Sequence, residues 1–251
     1  MKNNQQVILK NEINQMNMNF VLKLVALSSS PMVMEQMRVV VARVNEHLKQ
    51  IDKAFSPFRY DSLVSKFQRG DQSPLTSSNE FKTIYNSAIL AQQMTNDIYH
   101  PYFAGRFDPS GIVKNWAVEQ IFNDDLKPLL QTSDIVAIYI AGDGNSKFAT
   151  KQGADFRWAI DVANPLNDEE ITTTYYLQNG AVASNKGNDK KTTIIRSSLV
   201  EAGIWSLVGS NVTMDEFMPF VAHYNLTGIV NGQEEINFNL GSIIEIKKIK
   251  G

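Results

Sequence analysis

Cysteine is absent from the 251-residue sequence. That excludes disulfides and thiolate metal sites, and leaves any metal to oxygen ligands, a set that suits Mg²⁺ better than Zn²⁺. An excess of one charge is also missing: 24 Lys and Arg against 26 Asp and Glu give a net charge of −2. No basic stripe is interleaved with aromatics, which argues against a nucleic-acid partner. Long apolar runs are lacking too. Phe20 to Leu27 is broken by Lys23, is too short to span a bilayer and has no cleavage site, so neither membrane insertion nor a signal peptide is expected. The expected location is cytoplasmic, or peripheral to a membrane partner. Gly-x-Gly-x-x-Gly, Walker, His-Glu-x-x-His and Gly-x-Ser-x-Gly patterns are absent, which sets aside the α/β-hydrolase reading in particular.

What is present is ordinary globular composition, 43% hydrophobic and 20% charged, enough for a large core. Residues 1–15 read as a polar segment, and 16–251 as a single domain. Residues 16–28 alternate as a strand. Val33, Met37, Val40, Val44, Leu48 and Ile51 then recur at helical spacing, which predicts a long amphipathic helix from Met32 to Ala54 with a solvated His47. Asp61 or Ser62 caps a short helix through Phe67, and Ser78 or Asn79 caps a longer one to Met94. Ile135 to Ile140 is a nearly uninterrupted apolar run, a strand buried on both faces. Further strands are expected at 156–162, 171–177, 181–184 and 192–197, and helices at 199–208 and from the Thr213…Glu216 capping box to Tyr224. Asn231-Gly232 predicts a hairpin with a type I′ turn, and 243–249 a last strand. Helices and antiparallel strands mix without strict βαβ alternation, so the expected class is α+β with largely antiparallel sheets.

The richest run is Phe107 to Glu119. Asp108-Pro109 reads as an N-cap followed by proline at the first helical position. Ile112, Val113, Trp116, Ala117, Ile121 and Phe122 follow on one helical face. Lys114 lies about one and a half turns from Asp108. Free amides, a carboxylate and a lysine at a helix start suit an anionic ligand or its metal; a capped helix with a surface lysine has the same appearance. Ala141-Gly142-Asp143-Gly144 ends a buried strand, where its glycines admit close backbone approach or make an ordinary turn.

Taken in order, these motifs resemble the ApbE-type family of FAD:protein FMN transferases. The Asp108–Glu119 run is similar to the family's Asp-x-x-Gly-Ile-x-Lys-Gly-Trp-Ala-Val-Asp. Phe55-Ser56-Pro57-Phe58 with Asp61-Ser62 resembles its Phe-Ser-x-Tyr…Asp-Ser segment. Thr95 to Pro101 stands for Thr-Asp-Gly-Ala-Phe-Asp-Pro, Ala141-Gly142-Asp143 for Gly-Gly-Asp, and Trp158 to Pro165 for the Trp-x-Ile…Pro turn. The resemblance implies a T-fold-like α+β architecture and Mg²⁺-assisted transfer of FMN from FAD to a threonine hydroxyl of an acceptor protein. It implies FAD contacts from Phe58, Ile98, Tyr99, His100, Asp108, Lys114 and Asp143. Metal contacts would come from the Gly111 carbonyl and Glu201. No catalytic residue is assigned.

Several positions depart from the family pattern. The late Asp-Ala-x-x-Thr, which supplies two metal ligands, corresponds to Glu201-Ala202-Gly203-Ile204-Trp205, and tryptophan offers no oxygen. Thr-Ser-Gly appears as Ser184-Asn185-Lys186, and the following His-x-x-Asp-Pro is missing. His100 stands for aspartate and Asn115 for glycine, while His223 is on the wrong helix to replace the lost histidine. Two readings follow: a short FMN transferase with a reduced metal site, and an FAD-binding relative that transfers nothing.

Overall fold

The computed structural model describes residues 6–164 and 171–248. The loop expected through Pro165–Asp168 and the strand end at Ile249 fall outside them. In chain order the strands are β1 (Val7–Gln15), β2 (Met18–Ala26), β3 (Tyr102–Phe103), β4 (Arg106–Phe107), β5 (Ile135–Gly142), β6 (Asn145–Thr150), β7 (Trp158–Ala163) and β8 (Ile171–Leu177). β9 (Gly180–Lys186), β10 (Lys191–Arg196), β11 (Thr227–Asn231), β12 (Glu234–Asn239) and β13 (Ser242–Lys248) follow. The α-helices are α1 (Pro31–Phe55), α2 (Leu63–Gln68), α3 (Pro74–Ser77), α4 (Asn79–Met94), α5 (Ser110–Ile121), α6 (Leu199–Asn211) and α7 (Met214–His223).

Nine strands form one sheet in the order β1-β2-β5-β6-β9-β10-β11-β12-β13, and every neighbouring pair is antiparallel. The α+β expectation is met. The sheet has a seam. β1 and β2 are joined by nine residue pairs, whereas β6 and β9 share only Ser146↔Val182, Lys147↔Ala181 and Phe148↔Gly180. Strands before the seam come from the first part of the chain and strands after it from the last.

The helices form the core with one face of this sheet. α1 starts at Pro31, with the Ser30 hydroxyl accepting from the Val33 amide at 3.3 Å. It buries the expected stripe from Val33 to Ile51 and extends it to Phe55, each large aliphatic side chain contributing roughly 1.5–3 kcal/mol. On the opposite face the β7–β8 hairpin covers β5 and β6, packing Trp158 against Val136, Phe148 and Val182. This explains why β5 is apolar at successive positions: it has a layer on each side.

Four expectations need correction. Residues 7–15 are not merely a polar segment but an edge strand, half-buried at every second residue. Its outward Lys10, Glu12 and Asn14 concealed the period of two. His47 is not solvated: its Nδ1 lies 2.8 Å from Asp125 Oδ2, and Arg43 Nε donates to Asp125 Oδ1 at 2.6 Å. Asp125 sits in a π-helical turn (Phe122–Leu126) after α5, so this buried carboxylate ties that turn to α1. The Asn231-Gly232 hairpin forms without a type I′ turn, since neither residue has positive φ. Asn231 instead pairs with Glu235 inside the ladder, and its amide donates to Thr172 Oγ1 at 3.1 Å. Finally, α5 begins at Ser110 after Pro109, one residue later than expected.

Candidate functional site

α5 starts where the β3–β4 hairpin delivers the chain, and Asp108 organises its first turn by accepting from the Ser110 amide and hydroxyl. One face of the helix, with Ile112, Val113, Trp116, Ala117 and Ile121, is buried. Gly111, Lys114 and Asn115 line a cavity of about 190 Å³ against α6, the β5–β6 turn and β9. Tyr99, Asp143, Asn145, Gly203 and Ser206 complete much of its wall.

A type I′ turn lies at this cavity. Gly142 pairs with Asn145 across the turn, and the two residues between them have positive φ, 55° at Asp143 and 81° at Gly144. Asp-Gly suits that geometry because both central residues must adopt left-handed backbone. The turn aims Asp143 at Lys114, whose Nζ donates to Asp143 Oδ2 at 2.8 Å. Both side chains are about half exposed, 46% and 57%, so the pair adds at most about 1 kcal/mol to stability and can open at little cost.

Beneath that pair lies a fixed amide chain. Asn145 Nδ2 donates to Asn115 Oδ1 at 2.8 Å, and the Ser184 amide donates to Asn145 Oδ1 at 3.0 Å. Tyr99 is buried at the cavity edge, its amide donating to Thr95 Oγ1 at 3.0 Å. Burial, with a smaller contribution from the Asp108 charge, pushes its phenol up to about 12. A lysine and carboxamide groups beside a helix N-terminus can take an anion. The volume lies below the roughly 300–1,000 Å³ of pockets that enclose a whole ligand, so the cavity suits one charged part of a longer molecule.

The structure thus brings Tyr99, Gly111, Lys114 and Asp143 together and leaves the other expected residues outside. Phe58 is 89% exposed and lines a separate depression with Asn17 and Asp52. Ile98 faces a groove with Phe220 and Tyr224. His100 is exposed, its Nδ1 3.2 Å from Gln92 Nε2, and Asp108 is engaged at the helix start. Glu201 does not face Gly111. Its carboxylate accepts from Arg196 Nη2 at 3.2 Å and from Nε at 3.3 Å, and Trp205 is fully buried. The α6 residues turned to the cavity include Val200, Gly203, Ser206 and Leu207; Glu201 lies two residues, hence about 200° of helix rotation, from Gly203. Among the described residues no three His, Asp or Glu side chains gather as a metal site. Mg²⁺ is usually held by one or two carboxylates with water and substrate phosphate, and the carboxylate among the residues lining this cavity, Asp143, is paired with Lys114, so the side chains present fit it poorly. Asn115 was visible in the sequence only as an exception to the glycine pattern, and Asn145 carried no signal beyond the turn next to it.

No protein-family model and no curated protein sequence matches the chain. Solved structures do match. An ApbE protein from Thermotoga maritima superposes with TM-score 0.71 at 14% identity, over 89% of this chain and 94% of that one. The flavinyl transferase ApbE of Pseudomonas stutzeri, in apo form, gives 0.68 at 11% identity, over 100% and 97%. The flavin transferase ApbE of Vibrio cholerae gives 0.65 at 12% identity, over 97% of each chain. This chain has the ApbE fold. The likeness spans most of each chain. Among the described residues no helix is long and apolar enough to cross a membrane.

Proposed function

We propose that this chain binds FAD with its pyrophosphate at the α5–α6 cavity and passes FMN to a threonine hydroxyl of an acceptor protein. The observation that carries the reading is the convergence of Lys114, the N-terminal turn of α5 and Asn115 on one small polar cavity, in a fold whose solved examples are flavin transferases. The cavity takes the charged middle of the dinucleotide, leaving flavin and adenine to lie outward along the surface. In the transfer the threonine oxygen bonds to the phosphorus of the FMN half, and the P–O bond to the AMP half breaks. AMP leaves and the hydroxyl proton passes to a base. Such a step depends on positioning and on neutralising charge. Lys114 supplies charge, and Asp143 is the carboxylate of the cavity wall that could receive the proton.

A second reading, FAD held without transfer, is favoured by Glu201, which is turned to Arg196 instead of the cavity. One experiment separates them. Purified protein is incubated with FAD and a threonine-bearing acceptor domain, with and without Mg²⁺, and the acceptor is weighed by mass spectrometry. Covalent FMN that disappears in Lys114→Ala supports the transferase. Retained FAD with an unmodified acceptor supports the binding protein, and FAD that does not bind at all overturns both.

A further inference from the structure

Gly203 on α6 faces Asn115 on α5 so closely that a Cβ on residue 203 would lie 2.0 Å from Asn115 Nδ2 and 3.0 Å from its Cγ. Such a contact is impossible without moving a helix or the amide. Asn115 cannot easily yield. It is only 8% exposed, and its Oδ1 is held by Asn145, which is itself held by the Ser184 amide. With the oxygen fixed, Nδ2 is turned toward the Gly111 carbonyl at 3.5 Å, the outer limit of a hydrogen bond. The amide therefore retains donor capacity in the cavity wall. Of the oxygens around it, the Asn115 and Asn145 carbonyls are held by the amide chain and Asp143 Oδ2 by Lys114.

We infer that this site holds the pyrophosphate of a flavin dinucleotide without a divalent cation, the Asn115 carboxamide and the Lys114 ammonium supplying the donors directly. This rests on the FAD-binding part of the proposed function. A cation requires oxygen ligands at about 2.0–2.6 Å, whereas here an amide nitrogen, which donates and cannot ligate, occupies the space between α5 and α6. Gly203 lacks a side chain because that amide fills its place. An entering phosphate takes Lys114 from Asp143, a weak exposed partner, and accepts from Nδ2, which has only a long contact to give up.

The test is FAD titration of the full chain, followed by flavin fluorescence and calorimetry, in EDTA and in millimolar Mg²⁺. The expected result is an affinity equal within about twofold in the two buffers and lowered about tenfold in Asn115→Ala, the loss of one donor to a charged group. The double variant Asn115→Ala/Gly203→Asp places a carboxylate where the amide was, and its FAD binding becomes Mg²⁺-dependent. Thermal melts of both variants check that they fold. An affinity that rises tenfold or more with Mg²⁺ in the unaltered chain overturns the inference while leaving FAD binding intact. Binding that ignores both Mg²⁺ and Asn115→Ala overturns the role of the amide. Absence of FAD binding in either buffer removes the proposed function and this inference with it.

Discussion

One carboxylate oxygen of Glu119 accepts from Lys147 Nζ at 2.7 Å, while the other accepts from the Ser198 hydroxyl and from the Leu199 and Val200 amides, at 3.1, 3.1 and 3.3 Å. A side chain of α5 thus caps α6, where a negative charge meets the free amides of a helix start. Lys147 also donates to the Ser197 carbonyl at 2.7 Å, so the two helices and β6 meet at one buried ion pair, its side chains 15% and 10% exposed. Removing one partner strands the other. Glu119→Ala is expected to cost about 3–5 kcal/mol, read as a lower urea midpoint. Glu119→Leu/Lys147→Met is expected to recover part of that loss, because no charge is then left buried.

The Lys114–Asp143 pair behaves differently because it is exposed. Lys114→Ala is expected to leave the urea midpoint nearly unchanged and to weaken FAD binding about tenfold to hundredfold, the range for a charge-assisted hydrogen bond. Asp143→Asn removes the carboxylate that competes with the incoming phosphate and is expected to tighten FAD binding several-fold. Calorimetric titration of both variants at two salt concentrations checks this, and the gain from Asp143→Asn should shrink as salt screens the charges.

Tyr99 gives the protein a sensitivity to alkali. Its phenol is raised from an ordinary 10.0 to about 12 by burial and by Asp108, so the folded state keeps the proton that the unfolded chain releases. The contribution is whole below pH about 10, declines as pH rises toward 12, and is gone above it; in full it is about 2–3 kcal/mol. Urea unfolding across that range should show the decline, and Tyr99→Phe should flatten it. Tyr175, likewise raised to about 12 by burial and Glu235, should leave a residual slope in that variant.

Gly228 in β11 tests the sheet beyond the seam. A Cβ there would lie 2.2 Å from the Thr193 carbonyl oxygen of β10, a backbone atom paired in the ladder and unable to swing away. Gly228→Ala is expected to cost about 2–4 kcal/mol, at the severe end for a single added methyl. A thermal melt within a degree of the unaltered protein would contradict it.

Legibility in the sequence followed the strength of local signals. α1 and α4 could be read because their apolar stripes are long, while their caps, Ser30 and Ser78, were settled by the structure. β5 could be read as doubly covered because its neighbouring positions are all apolar. β1 could not, since an edge strand with one wet face has few apolar residues. Asn231-Gly232 misled because burial and a bond to Thr172 outweighed its turn preference. In the cavity, Lys114 and Gly111 were legible from their helix, and Asp143 from its turn. Glu201 misled because a residue's place in a motif does not reveal which side of α6 it occupies, and Arg196 had claimed its carboxylate. The Asn115–Gly203 fit joins residues far apart in the chain and is visible only in three dimensions.

The narrow seam between β6 and β9 gives the cavity a place in the order of folding. β6 holds Asn145 and Lys147, β9 holds Ser184, and α5 and α6 come from opposite sides of the seam. The bond from the Ser184 amide to Asn145 and the fit of Gly203 against Asn115 therefore join two parts of the chain, whereas the Asn145–Asn115 bond lies within the first of them. Contacts so distant in sequence must first overcome the entropy of closing a long loop, so the cavity is completed when the two parts dock and not before. A ligand seated between α5 and α6 grips both. Its binding energy is then also docking energy, and the half-formed chain, with an open seam, has no place for it.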